Sequence, residues 1–327
     1  MTAIAATDAL TGLRTPFVVE RVTIPPSDLD PSLKLRVMVH HSGRKPGARP
    51  LLLLHGHPQS SIIWRDVAPA LVDDGWHVVA MDLRGHGGSD APPVRTRDGK
   101  DEPPAEEGKW RYSKREMARD CIEVMKHYGH ESFWVVAHDR GARVAHRLSL
   151  DHPEAVKKMI LLDIAPTLPM YEKTDVRFAG YYYHWFMLIQ PFGLPEGLIT
   201  GAPEAYIQRQ MVLRPGSEAV FSPDVIATYV ASVGSWEHAH AMAEDYRASS
   251  PLGPDLELDR KDREAGRKVQ TPTRVLWGAK GIIGSLFNGL ELWKEACVDV
   301  DGHATESGHY IPEERPEEII NEVRSFF

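Results

Sequence analysis

The sequence predicts an α/β fold: a mostly parallel central sheet with helices on both faces and a helical cap inserted late in the chain. Three observations carry this. Short apolar, β-rich runs alternate with helical stretches through the first half, which is the pattern of a parallel sheet covered on both sides. The strand signal then disappears after Pro166 and returns only at Thr273. A chain of 327 residues, 42% hydrophobic and 26% charged, can bury a large core as one domain with an insertion.

Residues 17–24 and 35–40 read as strands, the second alternating apolar and polar. Residues 51–54 are wholly apolar, as a central strand buried on both faces should be, and end in His55-Gly56-His57-Pro58. A helix is expected over 62–72 and a strand over 77–81. The glycines of the turn Asp82-Leu83-Arg84-Gly85-His86-Gly87-Gly88-Ser89 do not fit GxGxxG. No lysine sits where a P-loop needs one, so phosphate binding is a poor reading. Residues 91–110, rich in proline and charge, read as a surface excursion. A helix over 113–128 leads into a strand at 133–136, and 156–162 is a further strand ended by Asp163. Cap helices are expected at 171–189, 205–213, 223–233 and 237–248, between Gly/Pro breaks. Strands at 273–277 and 297–300 and a last helix from about Pro312 complete the chain. The expected division is core at 1–165 and 251–327, with the cap at 166–250.

The strand at 133–136 meets its helix with almost no residues in which to turn. The turn is Ala137-His138-Asp139-Arg140-Gly141, with small residues two before and two after Asp139. That is the steric requirement of a nucleophile elbow, which thrusts a strained residue out above a sheet. Here the apex is an aspartate. A carboxylate that displaces a leaving group from a saturated carbon gives an ester that water can cleave, whereas a serine would give an inert ether. Attack on a carbon–halogen bond or an epoxide is therefore one reading, and a plain helix cap is the other.

His309 lies in a loop between the last strand and the last helix, and Asp163 ends the strand after the elbow. The chain order nucleophile, acid, histidine is the one the α/β-hydrolase arrangement demands, and no acid follows the 273–277 strand directly. The backbone N–H groups of His57 and Arg140 would form the oxyanion hole. Arg143 stands four residues after Asp139, one helical turn down on the same face. Two guanidiniums beside a nucleophilic carboxylate make sense if the substrate is itself an anion, Arg140 and Arg143 holding it against the repulsion of Asp139. A structural ion pair with cap acids is the alternative. His55 with His57, and His238 with His240, are rejected as metal pairs, the latter because the rings fall on different helix faces.

The motifs HGHPQ at 55–59, HDRGAR at 138–143, LLDIAP at 161–166, YHWF at 183–186, EDYRA at 244–248, WGAKGI at 277–282 and ESGHYIPEE at 306–314 run nearly the whole chain. In them the sequence resembles the haloacetate dehalogenases, the fluoroacetate dehalogenases most closely, within the α/β-hydrolase fold. The resemblance implies Asp139 as nucleophile, Asp163 and His309 as acid and base, Arg140 and Arg143 as the substrate-carboxylate clamp, and His184, Trp185 and Tyr246 as the halide site. It departs from the family at Ala137, where glycine is frequent, at His57, where an apolar residue is usual, and in a longer 91–110 excursion.

The expected activity is hydrolysis of a short 2-haloacid to the 2-hydroxy acid and halide, with no cofactor and no metal. An epoxide hydrolase with proton donors among Tyr181, Tyr182, Tyr183 and Tyr246 is the enzymatic rival, and a non-catalytic receptor for a small acid is the other. A formal charge of −8 argues against nucleic-acid and anionic-membrane partners and requires local cations for an anionic substrate. Two cysteines in separate elements fit a reducing compartment, and residues 1–15 lack the pattern of a signal peptide, so a cytoplasmic location is expected. A homodimer is a family expectation.

Overall fold

A computed structural model describes residues 17–100, 108–212 and 220–327. The reading of residues 1–15, the middle of the 91–110 excursion and the end of the helix expected at 205–213 lie outside the described residues.

Eight strands form one sheet in the order β1-β2-β4-β3-β5-β6-β7-β8: β1 Val18–Ile24, β2 Leu35–His41, β3 Arg49–Leu54, β4 Trp76–Met81, β5 Phe133–His138, β6 Val156–Leu162, β7 Thr273–Gly278 and β8 Val300–Thr305. The pairings β1·β2 and β2·β4 are antiparallel and all others parallel. The sequence reading of β3 as central is confirmed, since Leu51, Leu52, Leu53 and Leu54 are all fully buried. Successive side chains point to opposite faces. Leu52 and Leu54 therefore join one core cluster with Val135 and Ala137, while Leu51 and Leu53 join the opposite one with Val136 and Ile160.

The helices are α1 Ala68–Asp73, α2 Lys114–His127, α3 Asp139–Asp151, α4 Thr167–Glu172, α5 Val176–Tyr181, α6 Tyr183–Leu188, α7 Leu194–Gly201, α8 Pro203–Ile207, α9 Pro223–Val233, α10 Trp236–Ala248, α11 Pro254–Glu264, α12 Ile282–Leu286, α13 Gly289–Ala296, α14 Ile311–Glu314 and α15 Pro316–Phe326. Helices α4 to α11 lie between β6 and β7, where the strand signal vanishes. Their buried aromatics, Trp185, Tyr229 and Tyr246 among them, form a third apolar cluster with Ile62, Ile283 and Tyr310 of the sheet domain. That cluster seats the insert on the sheet domain.

Three local expectations need correction, and one helix went unread. The helix expected over 62–72 is a 3₁₀ turn, Ser61–Trp64, followed by the short α1. The 171–189 helix is three short ones: Asp175 caps α5 by accepting from the N–H of Phe178, so the chain restarts there. The last strand lies at Val300–Thr305, not 297–300. Among the described residues it pairs only with β7, and it is partly exposed, so its Asp-Gly-His stretch carries no apolar pattern to read. Helix α11 went unread because its charged residues grip the core by ion pairs: Asp259 and Asp262 both hold Arg147.

The elbow fixes how closely β3 and α3 approach. The N–H of Gly141 donates to the carbonyl of His55 at 2.9 Å, and a Cβ on Gly141 would lie 2.4 Å from that oxygen. Gly141→Ala should therefore destabilise the protein by about 1–3 kcal/mol, the usual cost of overpacking. An unchanged urea midpoint in that variant would show that the β3–α3 contact can relax.

Candidate active site

Asp139 closes β5 and opens α3 with φ 48°, and Asp163, directly after β6, has φ 50°. Among the described residues these are the non-glycine residues with positive φ. Such backbone costs on the order of 1–3 kcal/mol each and persists only where surroundings over-determine it. The carboxylate of Asp139 does not cap its own helix. Instead its Oδ1 accepts from the N–H of His57 at 2.9 Å, and Gly56 lies so close that a Cβ there would sit 2.4 Å from the Cβ of Asp139. Burial would raise the pKa of Asp139, but His309, His138, Arg143 and the His57 N–H outweigh it and hold the carboxyl far below the usual range. It is a dry, ionised carboxylate.

The structure brings Asp163 and His309 together as expected. Oδ2 of Asp163 lies 2.5 Å from His309 Nδ1, and its Oδ1 accepts from the N–H of Gly278 at 2.9 Å. Nε2 of His309 is 3.9 Å from Asp139 Oδ2, beyond hydrogen-bond reach, so that oxygen keeps its lone pairs while the histidine faces it. The His309 loop is braced by groups that sequence reasoning missed. The side chain of Glu314 accepts from the N–H of Gly308 and of Tyr310, and Nε2 of His138 donates to the carbonyl of His309 at 2.8 Å. Burial and the neighbouring His309 push the pKa of His138 down to about 3, so its ring is neutral.

The two arginines have different surroundings. Arg140 is tied to the insert: Nε donates to Asp245 Oδ2 at 2.6 Å, and Nη2 donates to the Asp245 carbonyl and to Ser249 Oγ. Asp245 also bonds Lys114, and although burial would raise its pKa, these two cations keep it ionised. The ion pair with an insert acid, weighed as the alternative for Arg140, is thus present. Arg143 has no carboxylate partner among the described residues. Its Nη1 donates to Ala165 O and Thr167 Oγ1, Nη2 touches Met170 Sδ, and Nε is buried without a hydrogen-bond partner. It is 4% exposed, lies 4.8 Å over the ring of Trp185, and interacts with Asp139 only through space. Burial and Arg140 both pull its pKa down.

His184, Trp185 and Tyr246 are buried together, the ring of Tyr246 lying 5.9 Å from His184 and 6.3 Å from Trp185. Burial first, and the charge of Asp139 second, raise the Tyr246 pKa well above its ordinary value, so its hydroxyl stays protonated. The ring of His57 joins this group, 5.2 Å from Tyr246 and parallel to His184 at 6.2 Å. A cleft of about 220 Å³, lined by Asp163, His309, Tyr182, Arg209, Gln210 and Lys280, leads to the acid–base pair. The N–H of His57, expected in the oxyanion hole, donates to one oxygen of Asp139.

The histidine pairs set aside as metal ligands are engaged otherwise. His55 Nε2 accepts from the N–H of Leu83. Glu196, His240 and Glu244 do converge within 4.8 Å, but both glutamates bind the guanidinium of Arg247, which makes the group an ion-pair network. Asp245 and Tyr206 were also missed. Asp245 sits beside the EDYRA tyrosine but reads in sequence as a helix-surface acid, and nothing in the sequence links Tyr206 to His57.

A family profile for the α/β-hydrolase fold matches residues 49–196. The chain is 36% identical over 277 residues to a fluoroacetate dehalogenase of Burkholderia sp., covering 84% of this chain and 86% of that one. It is 31% identical over 282 residues to a soluble epoxide hydrolase of Corynebacterium sp. strain C12, covering 85% and 90%. Among solved structures, a candidate α/β hydrolase from Nostoc sp. PCC 7120 superposes with a TM-score of 0.82 at 42% identity, over 94% of this chain and 97% of that one.

The two arginines should separate in stability. Arg140→Met strands Asp245 beside one cation and should cost about 3 kcal/mol, the lower range for breaking a buried pair. Arg143→Met removes a buried charge that has no acid in ion-pair contact among the described residues, only the through-space attraction of Asp139, and should change stability by about 1 kcal/mol or less. Equal losses in urea unfolding would make Arg143 a structural cation.

Proposed function

Because the chain belongs to the haloacetate-dehalogenase branch of the α/β-hydrolase family, we propose that it hydrolyses short 2-haloacids to the 2-hydroxy acid and halide. One observation carries this reading: a buried guanidinium, Arg143, stands one helical turn from a buried, ionised aspartate and has no acid in ion-pair contact among the described residues. A substrate carboxylate would neutralise it through a bidentate grip. The same contact would hold C2 of the acid against Asp139. The Nη1 atom of Arg140, whose other nitrogens bind Asp245 and Ser249, would supply a second contact.

In the first step Asp139 Oδ2 attacks C2, the carbon–halogen bond breaks, and the halide leaves with its electron pair. His184, Trp185 and Tyr246 would receive that charge with donors fixed in advance, which matters most for fluoride, since it loses the strongest hydration in a dry pocket. In the second step His309, oriented by Asp163, takes a proton from water, and the hydroxide attacks Cγ of the Asp139 ester. Charge then develops on Oδ1, where the His57 N–H lies 2.9 Å away. Collapse breaks the bond between Cγ and the ester oxygen, and the departing alkoxide takes the proton from His309.

Epoxide hydrolysis is the second reading, favoured by the relative of that name and by the Tyr246 phenol beside Asp139. A neutral epoxide leaves Arg143 without an anion, which is why the haloacid reading ranks first.

Halide release from fluoro-, chloro- and bromoacetate, assayed beside diol formation from styrene oxide, tests the choice. Halide from at least one haloacid with no diol is the expected result, and diol without halide would reverse the order. Arg143→Lys should raise KM for haloacetate by roughly tenfold or more, since a point charge cannot reproduce a planar fork. An unchanged KM would place the substrate carboxylate elsewhere. Trp185→Phe and Tyr246→Phe should each slow C–F cleavage by about 10²–10³-fold and C–Br cleavage less. Equal losses on both would return these rings to packing.

A further inference from the structure

His57 occupies a position where only its backbone has a part in the reaction above. Its side chain is nevertheless built into the site. It is 4% exposed, packs against His184 and Tyr246, and its Nε2 lies 2.7 Å from the hydroxyl of Tyr206 on the insert. Its other nitrogen, Nδ1, is buried with no hydrogen-bond partner. A buried polar atom left unpaired costs about 1–3 kcal/mol, so a ring that needed only to fill space would be better apolar.

The bond to Tyr206 ties the tautomer of the ring to which of the two partners donates. Desolvation pushes the pKa of His57 down to about 3, so the ring is neutral and carries one proton. If the Tyr206 hydroxyl donates to Nε2, that proton sits on Nδ1, the ring nitrogen nearer the backbone. The His57 N–H is already bonded to Asp139, and the charge of that carboxylate favours a protonated nitrogen on the nearby ring.

We propose that the Nδ1–H of His57, fixed by Tyr206, is a further leaving-group contact, a core-side donor opposite the insert's His184, Trp185 and Tyr246, and that it biases the enzyme toward small, strongly hydrated halides. The inference rests on the haloacid reading and deepens it. No proton is transferred: the halide leaves as an anion accepting one more hydrogen bond, and the ring stays neutral. Tyr206 acts through His57 and is a positioning residue.

Three variants test it, each assayed for kcat and KM on fluoroacetate and bromoacetate. His57→Phe keeps the ring and the backbone N–H and should lower kcat on fluoroacetate by roughly 10²-fold, the lower end for losing one oxyanion-type donor, with a much smaller loss on bromoacetate. His57→Asn, whose amide nitrogen can stand where Nδ1 stands, should recover most of the fluoroacetate rate. Tyr206→Phe should move the fluoride-to-bromide ratio in the same direction as His57→Phe, and it serves if the latter folds poorly. An unchanged ratio in both His57→Phe and Tyr206→Phe, with halide release intact in the parent, would overturn this inference alone. No halide from the parent on either substrate would overturn the haloacid reading and this inference with it.

Discussion

Most of the site depends on one contact: the carboxylate of Asp139 held against the His55-Gly56-His57 turn. The contact needs a backbone at φ 48°, a Gly56 without a Cβ in the way, a Gly141 that lets α3 come close to β3, and a His57 N–H to bind one carboxylate oxygen. Each requirement is met by a residue that has few substitutes. The result is an ionised aspartate with one oxygen fixed and the other directed at His309, at the end of a strand buried on both faces. The strain at Asp139 and Asp163 is offset by the sheet beneath them, whose strand β3 carries four fully buried leucines.

Electrostatics shape the second layer. A protein with a formal charge of −8 places cations beside the buried carboxylates of this site. Arg140 is neutralised within the chain by Asp245, which Lys114 also holds, so the insert is locked to the elbow helix by a buried charge network. Arg143 is one turn away and lacks such a partner among the described residues. The contrast between two neighbouring arginines, one paired with an acid and one not, is what the proposed preference for an anion rests on. In sequence the two look alike.

The elbow and the acid at the end of β6 were legible because each lies where a strand marked by an apolar run stops, and the loop histidine was legible through its place in the chain order nucleophile, acid, histidine. The aromatic pair at His184 and Trp185 was found only through family resemblance. Buried aromatics have no period of their own, and the helix carrying them is broken by a cap at Asp175 that tertiary packing exploits. Asp245, Glu314 and Tyr206 escaped because their meaning is a partner far away in the chain: Arg140, the His309 loop and His57. The edge strand β8 escaped for the opposite reason, since an exposed edge imposes no pattern. What the sequence conveys well is where backbone and core must go, and long-range polar pairing is what it conveys least.

The central claim is that one oxygen of the Asp139 carboxylate enters the product. A single turnover of haloacetate in oxygen-18 water, with the enzyme in excess, tests it directly. The account predicts a first-turnover hydroxy acid whose hydroxyl oxygen is unlabelled and a proteolytic peptide containing Asp139 that has gained one heavy oxygen. Heavy oxygen in the product hydroxyl, with that peptide unlabelled, would mean direct attack by water and would contradict it.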